Sequence, residues 1–417
     1  MKYVVLGASA AGVNAAATLR KLDKEAEIIL ISEDEQIYSR CIMHHYMEGI
    51  RSMERLSFVE PDFAEKNQIT WIKGVKALSL DAKHYKVTLS DSQEITFDKL
   101  LIATGSHSFI PPIEGIYKAV NAYGFHDMKD CKTIMKKAAD AEHIVILGAG
   151  LVGVDAASGL LEYGKEITLV DAKEHMLAIQ LDEKSARAYE DEFEKHGVVQ
   201  HYNVGIEKVI TNDKDEITAI VLTNGLELLC DLLVVAAGVR ANIGFTKGSG
   251  LRTDNFGLMI DDTGKTNIDY IYGAGDVTGR NPIWPTAVKE GIVAASNMAG
   301  EKRHMTDFFA SKSTMNFFSI PSMSLGLNNP PDDTYQVESM FDEKGNYKKI
   351  IYKDGKIYGA ILQGDLSYAG VLTQLIRSKI DISKVKKPLF QIDYSDFFNM
   401  NDNFEFYYEN GQEETIE

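Results

Sequence analysis

Residues 2–33 read KYVVLGASAAGVNAAATLRKLDKEAEIILISE and combine two strand-like runs with one helical pattern. The first apolar run ends in a turn of small residues from Gly7 to Gly12, and the second run stops at Glu33. This order of strand, glycine turn, helix, strand and acid is typical of a βαβ unit that binds a dinucleotide. Gly7 permits the sharp turn and Gly12 lets helix and strand pack closely, while Ser9 replaces the middle glycine of the usual fingerprint.

The start of the predicted helix is the candidate binding surface of this unit. Its first turn, with Ser9, Ala10 and Ala11, presents backbone N–H groups and the positive end of the helix dipole to a pyrophosphate. Glu33 ends the second strand, where a ribose hydroxyl can donate a hydrogen bond to its carboxylate. These residues form the first candidate set for cofactor binding.

The pattern recurs at residues 143–171, HIVILGAGLVGVDAASGLLEYGKEITLVD. An apolar run is again followed by a glycine turn, a helical pattern and a second strand that stops at an acid. The joint recurrence of turn, helix and acid argues against chance and predicts a second dinucleotide-binding unit. Its candidate binding residues are Gly148, Gly150, Leu151, Val152, Gly153 and Asp171.

Composition excludes several functional classes. The chain has 417 residues and a formal net charge of −17, which speaks against nucleic acid or an anionic membrane as a partner. No apolar run reaches the ~20 residues of a membrane helix, and a first strand that starts at Lys2 leaves no room for a signal peptide. Cys41, Cys131 and Cys230 form neither a pairing nor a metal-ligand pattern, so we expect a cytoplasmic protein without a metal site.

Each glycine unit is followed by short strand-like runs that predict a β-meander, and then by a buried strand that ends in small residues, DKLLIATGS at 98–106 and DLLVVAAGVRAN at 231–242. From Glu301 the composition shifts toward Phe, Tyr and Met, and strand-like runs such as TMNFFSIPSM at 314–323 precede a helical pattern. We therefore predict an α/β fold with two Rossmann-like dinucleotide-binding domains, each with a β-meander, plus a smaller α+β C-terminal domain. The acidic tail at 409–417 is predicted to be mobile.

The ordered motifs GASAAG, ATG, GAGLVG, AAGVRAN and YGAGD resemble those of the FAD-dependent pyridine nucleotide–disulfide oxidoreductases. The resemblance covers Lys2 to Gly300. Within that family, YSRC, IWPTAVKEG and KDGKIYGAILQGD resemble the NADH–rubredoxin reductases and the flavoprotein part of assimilatory nitrite reductases. The position of Cys41 resembles that in the single-cysteine branch, which holds coenzyme A-disulfide reductases, NADH oxidases and NADH peroxidases.

This resemblance implies the cofactors and the domain bounds. Residues 1–115 and 241–303 would form an FAD-binding domain, 116–240 an NAD(P)H-binding domain inserted in it, and 304–417 the C-terminal domain. Asp276 would accept hydrogen bonds from the ribityl or pyrophosphate region of FAD, and the helix near Pro285 would point its positive end at the flavin pyrimidine. Trp284 would either line the flavin ring or simply pack. The residues implied on the flavin side are Ala103, Thr104, Gly105, Gly275, Asp276, Trp284 and Pro285.

By the same resemblance, the second unit and Gly238 would bind the pyridine nucleotide. Asp171 favours NADH over NADPH, because a carboxylate accepts from a ribose 2′-hydroxyl and repels a 2′-phosphate. Lys173 lies two residues further on and would weaken this preference.

Cys41 is the candidate catalytic residue. Arg40, which we also place among the cofactor-binding residues, and His44 and His45 surround the thiol with positive charge that would lower its pKa and favour redox chemistry. The alternative is a small buried residue that only packs. Two departures from the redox-active relatives stand out: Tyr46 occupies the position of a second cysteine, and the glycine loop GASAAG has no histidine.

The main functional hypothesis is an FAD-dependent NAD(P)H oxidoreductase in which NADH passes hydride to flavin. The electrons would then leave to a thiol- or disulfide-type acceptor or to a small redox protein, with O2 and peroxide as further acceptors. One alternative is an NADH–rubredoxin reductase in which Cys41 is only structural. A second alternative is a non-catalytic flavin-binding sensor or assembly subunit. The oligomeric state stays open, with a homodimer as one expectation.

Overall fold

The computed structural model describes residues 1–305 and 312–408, with backbone only for 406–408, so the predicted mobile tail at 409–417 lies outside the described residues. The helices are α1 Ala10–Leu22, α2 His44–Met47, α3 Phe63–Lys66, α4 Met128–Asp140, α5 Leu151–Leu161, α6 Glu183–Lys195, α7 Trp284–Met298 and α8 Ala369–Arg377.

The strands fall in the order that the sequence predicts, with several short additions. The first strands are β1 Lys2–Leu6, β2 Glu27–Ser32, β3 Thr70–Lys73, β4 Ala77–Asp81, β5 Lys86–Leu89, β6 Glu94–Thr96, β7 Lys99–Ile102, β8 Ser106–Ser108, β9 Ala122–Gly124, β10 His143–Leu147, β11 Glu166–Val170 and β12 Val199–His201. The others are β13 Ile206–Thr211, β14 Ile217–Leu222, β15 Glu227–Leu229, β16 Leu232–Val235, β17 Val239–Ala241, β18 Ile271–Gly273, β19 Lys312–Phe317, β20 Ile320–Gly326, β21 Gln336–Phe341, β22 Tyr347–Lys353, β23 Lys356–Gln363, β24 Phe398–Met400 and β25 Phe406–Tyr408.

By their internal contacts the residues form two compact units. The first contains Met1–Gly148, Asp155–Ile167 and the described part of Ile206–Phe308. The second contains Ala149–Val154, Thr168–Gly205 and the described part of Phe309–Glu417. The assignment of residues to FAD-binding, NAD(P)H-binding and C-terminal domains stays a prediction.

The predicted first βαβ unit is confirmed in the first compact unit. A five-stranded parallel sheet has the order β18-β7-β1-β2-β3. Strand β1 is apolar on both sides because helices α1 and α7 cover one face of the sheet, and the antiparallel meander β4-β5-β6 packs on the other. The carboxyl ends of β1, β7 and β18 therefore meet at one edge of the sheet.

The second glycine motif also lies between strands and a helix. Strand β10 pairs in parallel with β16, and β16 pairs in parallel with β9, while β13, β14 and β15 form the second predicted meander. Helix α4 begins after Asp127, whose side chain accepts a hydrogen bond from the Asp130 N–H. Cys131 is a buried residue of α4.

In the second unit, β11 pairs in parallel with β12, and five antiparallel strands form a sheet of order β19-β20-β23-β22-β21 with α8 against it. The run 314–323 that we predicted as one strand is a hairpin, because Phe318 and Ser319 take φ values of +52° and +61° and reverse the chain. Helix α6 packs on this sheet: the Tyr189 hydroxyl lies 2.8 Å from the Ser322 hydroxyl, and Gln363 Nε2 donates to the Ser185 carbonyl at 2.9 Å.

Candidate active site

The first glycine turn leaves no space for side chains. Gly7 has φ of +110°, and a Cβ there would lie 2.0 Å from the backbone oxygen of Ala103. A Cβ on Gly12 would lie 1.9 Å from the backbone oxygen of Gly7. Only glycine fits at either position, and the turn between them is held against the end of β7.

The N-terminus of α1 is open to an anion. Ser9 is the N-cap residue, but its side chain makes no capping hydrogen bond, and the first turn contains no acidic residue. Ala10 and Ala11 are buried in the first turn, where Ala11 lies against α7: a Cβ on Gly291 would lie 2.3 Å from the Ala11 carbonyl oxygen. The first N–H groups of a helix have no partner within the helix, so this turn offers the donors that a pyrophosphate requires.

Glu33 follows β2 directly, at the same edge of the sheet, as the sequence predicts. The residue is exposed, and its carboxylate lies 3.9 Å from the ammonium of Lys76. A solvent-screened pair of this length contributes little to stability, so the carboxylate is available to a ribose.

The turn after β7 is fixed by a residue that the sequence did not single out. The Thr104 hydroxyl donates to the Asn242 carbonyl at 2.9 Å, and the Asn242 amide donates to the Thr104 carbonyl at 2.9 Å. The Asn242 N–H also donates to the Gly105 carbonyl. Gly105 itself has φ of +67°, and no atom lies within 4 Å of the position of a Cβ.

Asp276 follows β18 after a glycine turn and is partly buried. The Ser106 hydroxyl donates to Asp276 Oδ2 at 3.2 Å and lies 3.3 Å from His126 Nε2. Burial raises the pKa of Asp276, while the Ser106 hydrogen bond and the charge of Arg40 oppose this rise. Burial and Arg40 lower the pKa of His126 to about 4, so the imidazole is neutral at pH 7.

Arg40 lies in this polar cluster, but its charge is already engaged. Its guanidinium donates to Asp34 Oδ2 at 2.9 Å and lies 5.8 Å from the ring centre of Tyr38. The Tyr38 hydroxyl donates in turn to Asp34 Oδ1 at 3.2 Å and accepts from the Met128 N–H at 3.0 Å. Arg40 is therefore held near Asp276, and its ion-pair partner is Asp34.

Glu290, in the middle of α7, is another residue that sequence reasoning missed. It is buried, and its Oε2 accepts the Gly275 N–H at 2.7 Å and lies 3.4 Å from the Thr278 hydroxyl. Burial raises its pKa to about 7. Gly275 has φ of +80°, and a Cβ there would lie 3.0 Å from the Ala11 Cβ, so this turn is packed between α1 and α7.

Helix α7 begins where the sequence predicts. Trp284 is its first residue, and Pro285 occupies the first turn, where a missing N–H costs nothing. The Trp284 ring packs edge-on against Phe58 with centroids 4.6 Å apart. Packing is thus an observed role of Trp284, and its position along a flavin ring stays a prediction.

Cys41 lies in a short 3-10 turn, Arg40–Ile42, directly before α2, and is exposed. The expected lowering of its pKa is wrong for this chain. Although the residue has solvent-exposed surface, the protein packed around the sulfur removes much of its water, and this desolvation, then the charges of Asp155 and Asp276, raise the pKa of the thiol to about 11. The positive charges of Arg40 and His44 do not offset this rise in pKa, because Arg40 is paired with Asp34 and His44 with Asp155. The reduced residue is therefore a thiol near neutral pH.

Helix α2 contacts α5 through a set of matched residues. His44 Nδ1 lies 3.2 Å from Asp155 Oδ1, and the Ser158 hydroxyl donates to Glu48 Oε1 at 2.7 Å. A Cβ on Gly159 would lie 3.0 Å from the Met47 Cβ, so the glycine permits the close approach.

The second glycine turn is tight for the same reason as the first: a side chain on its first glycine would clash with the backbone. Gly148 has φ of +111°, and a Cβ there would lie 2.5 Å from the Ala236 carbonyl oxygen. Gly238, after β16, has φ of +102° and is exposed, and no atom lies within 4 Å of the position of a Cβ. Its carbonyl accepts the Phe109 N–H at 2.8 Å.

The remaining residues of the second set are in the other compact unit. Gly150 precedes α5, and Leu151, Val152 and Gly153 form its first turn, with Val152 exposed. Asp171 follows β11 directly, as predicted, and its carboxylate accepts the Ala149 N–H at 2.5 Å and the Lys173 N–H at 2.7 Å. The Asp171 carboxylate therefore supports the glycine turn, and its contact with a ribose stays a prediction.

Comparison with known proteins identifies the family. The family description "Pyridine nucleotide-disulphide oxidoreductase" matches residues 1–291, and "Rubredoxin NAD+ reductase C-terminal domain" matches residues 312–380. The chain belongs to the pyridine nucleotide–disulphide oxidoreductases. This oxidoreductase is therefore an enzyme, as the sequence predicts, that takes electrons from NAD(P)H and passes them through FAD to an acceptor.

Two relatives and one solved structure illustrate the range of the family. The epsilon subunit of NADH-dependent phenylglyoxylate dehydrogenase from Aromatoleum evansii is 29% identical over 402 residues, which cover 92% of this oxidoreductase and 93% of that protein. The assimilatory nitrate reductase electron transfer subunit of Bacillus subtilis is 27% identical, but the match, 94% of this chain, covers 51% of that protein. A NAD-dependent persulfide reductase from A. fulgidus has the same fold, with a TM-score of 0.81, 24% identity, and coverage of 91% of this chain and 77% of that one.

The described residues of the first unit suit FAD. An uncapped helix N-terminus and a glycine turn that a Cβ would fill match a pyrophosphate, and a partly buried carboxylate, Asp276, matches a polyol. When bound, FAD supplies the two-electron chemistry between nicotinamide and acceptor. The chain's own residues at this edge of the sheet would orient the cofactor.

In residues 1–305 and 312–408, no helix is long and apolar enough to cross a membrane. Within the same ranges, no cluster of three or more His, Cys, Asp or Glu residues could hold a metal ion.

Proposed function

We propose that this oxidoreductase uses NADH and passes its electrons through Cys41 to an acceptor that contains a sulfur–sulfur bond. The observation that carries the proposal is the position of Cys41. Its thiol is at the surface on a helical turn, yet close enough to Asp276 to respond to the charge of that carboxylate. A substrate in solution and a flavin held at Asp276 could therefore both reach the sulfur.

The choice of NADH rests on Asp171. Its carboxylate is held by two backbone N–H groups directly after β11, with lone pairs left for a ribose hydroxyl. A 2′-phosphate at this position would meet a negative charge, and Lys173 is the one basic residue within two positions that could offset it.

A second candidate function is favoured by the C-terminal match. Residues 312–380 fit the C-terminal domain of rubredoxin NAD+ reductases, which supports a small redox protein as the acceptor. In that case, electrons leave from the flavin directly and Cys41 has a structural role.

Anaerobic reduction separates the two candidates. The holoenzyme and a Cys41→Ser variant are reduced with NADH and mixed with coenzyme A disulfide, a polysulfide, a reducible rubredoxin or ferricyanide. We expect Cys41→Ser to lose reduction of the sulfur acceptors and to keep reduction of ferricyanide, which takes single electrons from flavin. Equal turnover of both proteins on every acceptor would contradict the thiol pathway and favour the redox-protein pathway.

Three further proposals concern the domain bounds, the assembly and the location of the protein. The FAD-binding, NAD(P)H-binding and C-terminal domains have the bounds predicted above. A homodimer is the proposed assembly, which light scattering of the holoenzyme tests. A cytoplasmic location is supported by three cysteines that are all free thiols.

A further inference from the structure

We propose that helix α6 supports the second glycine turn, so that Glu190 and the C-terminal sheet behind this helix position the turn for NADH. This inference rests on the proposed function, in which NADH binds at the turn that contains Ala149 and Gly150. It gives the C-terminal sheet a task in nucleotide binding, besides any contact with an electron acceptor.

The Ala149 residue of the second glycine turn is held through both its N–H and its carbonyl. The N–H donates to Asp171 Oδ2 at 2.5 Å, and the carbonyl accepts the Leu177 N–H at 2.8 Å. Both partners belong to the loop 171–181 that follows β11, so this loop determines where the turn lies. Backbone N–H groups of such a turn bind a pyrophosphate, and the affinity therefore depends on the orientation that the loop imposes.

Leu177 has a backbone conformation that its surroundings must enforce. Its φ is +55°, which a leucine rarely adopts, and its side chain is fully buried. The Leu177 carbonyl accepts the Leu181 N–H at 2.8 Å, and the N–H of the preceding residue, Met176, donates to Glu190 Oε1 at 3.0 Å. Glu190 therefore ties α6 to the loop directly beside Leu177, and through Leu177 to Ala149.

Burial makes the hydrogen bond to Glu190 demanding. Glu190 is 8% exposed, and its Oε2 lies 3.8 Å from Nη1 of Arg187. Met176 is fully buried, so water cannot replace the carboxylate as the acceptor of its N–H. A buried N–H without an acceptor is costly, and the loop is therefore restricted to the position in which this hydrogen bond forms.

Helix α6 is itself fixed by the C-terminal sheet. Gln363 Nε2, at the end of β23, donates to the Ser185 carbonyl at 2.9 Å, and the Tyr189 hydroxyl donates to the Ile320 carbonyl of β20 at 2.6 Å. The two contacts lie about one helical turn apart along α6. They therefore fix both the position and the rotation of the helix, which sets where Glu190 points.

The two faces of the C-terminal sheet make different contacts. Ser322 and Gln363 face α6, whereas the adjacent strand residues Met323 and Leu362 pack with Leu372 of α8. Side chains alternate between the faces along a strand, which explains this separation. A substitution on the α8 face can therefore destabilise the sheet without removing a contact of α6.

Nucleotide binding at the turn can be measured without turnover by calorimetric titration of the holoenzyme with ADP-ribose. Gly150→Val tests the binding site itself. No atom lies within 4 Å of the position of a Cβ on Gly150, so the protein has room for the side chain. The same space is needed for close approach of the pyrophosphate, and we expect this variant to lose detectable binding.

Glu190→Met tests the support of the turn, because it removes the acceptor for the Met176 N–H with little change in side-chain volume. We expect the Kd for ADP-ribose, and the NADH concentration for half-maximal flavin reduction, to rise about 10-fold. The limiting rate of flavin reduction at saturating NADH should change little. Glu190→Gln keeps an acceptor oxygen and should restore binding, and Glu194→Met, at an exposed position of the same helix, is the matched control.

Gln363→Met and Leu372→Ala compare the two faces of the sheet. Both variants should lower the melting temperature, since each removes a buried interaction. Only Gln363→Met removes a contact of α6, so it alone should raise the Kd for ADP-ribose, by about threefold.

The outcomes separate the site from its support. If Gly150→Val binds ADP-ribose as tightly as the unmodified holoenzyme, the proposed nucleotide site fails, and this inference with it. If Gly150→Val does not bind but Glu190→Met binds normally, the site stands and the positioning role of Glu190 is wrong. If Leu372→Ala weakens binding as much as Gln363→Met, general loss of stability explains both results, and the role of the sheet is wrong. Should Gln363→Met not fold, Tyr189→Phe, which deletes only a hydroxyl, takes its place with the same expected result.

Discussion

Glu290 Oε2 accepts the Gly275 N–H at 2.7 Å, so a carboxylate in the middle of α7 fixes the turn that precedes Asp276. The two residues are separated by 15 positions and belong to different elements. Glu290 is 3% exposed, and the hydrogen bonds from Gly275 and Thr278 do not fully replace the water that burial removes. We therefore expect Glu290 to help fix the position of Asp276 and of the polyol proposed to bind there.

The first prediction concerns the pH dependence that Glu290 imposes. Its folded-state pKa, about 7, is above the ordinary value of 4.5, so the folded state binds the proton more tightly than the unfolded state. Stability should fall as pH rises from 4.5 to 7, by on the order of 3 kcal/mol. Glu290→Gln keeps an acceptor for the Gly275 N–H and should flatten the pH dependence of the holoenzyme melting temperature. The exposed Glu162→Gln is the control, and an unaltered slope in Glu290→Gln would refute the assignment.

A second prediction concerns nucleotide choice. Asp171→Asn preserves an oxygen acceptor for the Ala149 N–H but removes the negative charge. Hydrogen bonds to charged groups contribute about 1.5–3 kcal/mol, so the ratio of kcat/KM for NADH to that for NADPH should fall roughly 10- to 100-fold. Glu174→Gln, an exposed acid three residues on, should leave the ratio unchanged. A ratio that already favours NADPH in the unmodified enzyme would show that Asp171 does not select the nucleotide.

The sequence predicts the parts of this fold that depend on local pattern. Both glycine turns, both acids at strand ends, both meanders and the start of a helix near Pro285 are confirmed, because each depends on residues adjacent in sequence. Two elements with local signals were missed. Asp127 caps α4 and Asp182 caps α6 through a capping box, but both helices are polar enough to resemble loops. The reversal at Phe318 and Ser319 has no glycine, proline or asparagine to mark it.

The parts of the site that the sequence did not predict were missed for one physical reason: the residues that interact there are distant in sequence. Ser106 reaches Asp276 across 170 positions, and Asn242 reaches Thr104 across 138. The charge environment of Cys41 was predicted with the wrong sign for the same reason. Its positive neighbours are adjacent in sequence. Burial raises the pKa most, and the two carboxylates that add to this effect, Asp155 and Asp276, belong to elements that are distant in sequence.

A third prediction concerns the contact of α6 with the C-terminal sheet. Lys349 is 5% exposed, and its ammonium lies 3.0 Å from Asp182 Oδ2 and donates to the Asn328 carbonyl at 2.8 Å. Lys349→Met should leave the buried carboxylate without its counter-ion and lower the free energy of unfolding by about 3–5 kcal/mol. Lys344→Met, in an exposed turn, is the control in thermal denaturation. Equal melting temperatures for the two variants would mean that the buried pair adds no net stability.

The last prediction concerns the Cys41 thiol itself. A thiolate in contact with oxidised flavin gives a long-wavelength charge-transfer band, and a thiol does not. Because the Cys41 pKa is raised to about 11, the band should be weak at pH 7 in the holoenzyme with reduced Cys41 and should grow about tenfold per pH unit toward pH 11. Asp155→Asn removes one of the charges that raise this pKa, so it should shift the rise to lower pH, and Cys41→Ser should abolish the band at every pH. A full band at pH 7 would show that bound flavin, rather than the Asp155 and Asp276 carboxylates, controls the thiol. A band that is absent up to pH 11 in the unmodified holoenzyme would place the sulfur out of contact with the flavin and leave direct transfer to a redox protein as the remaining route.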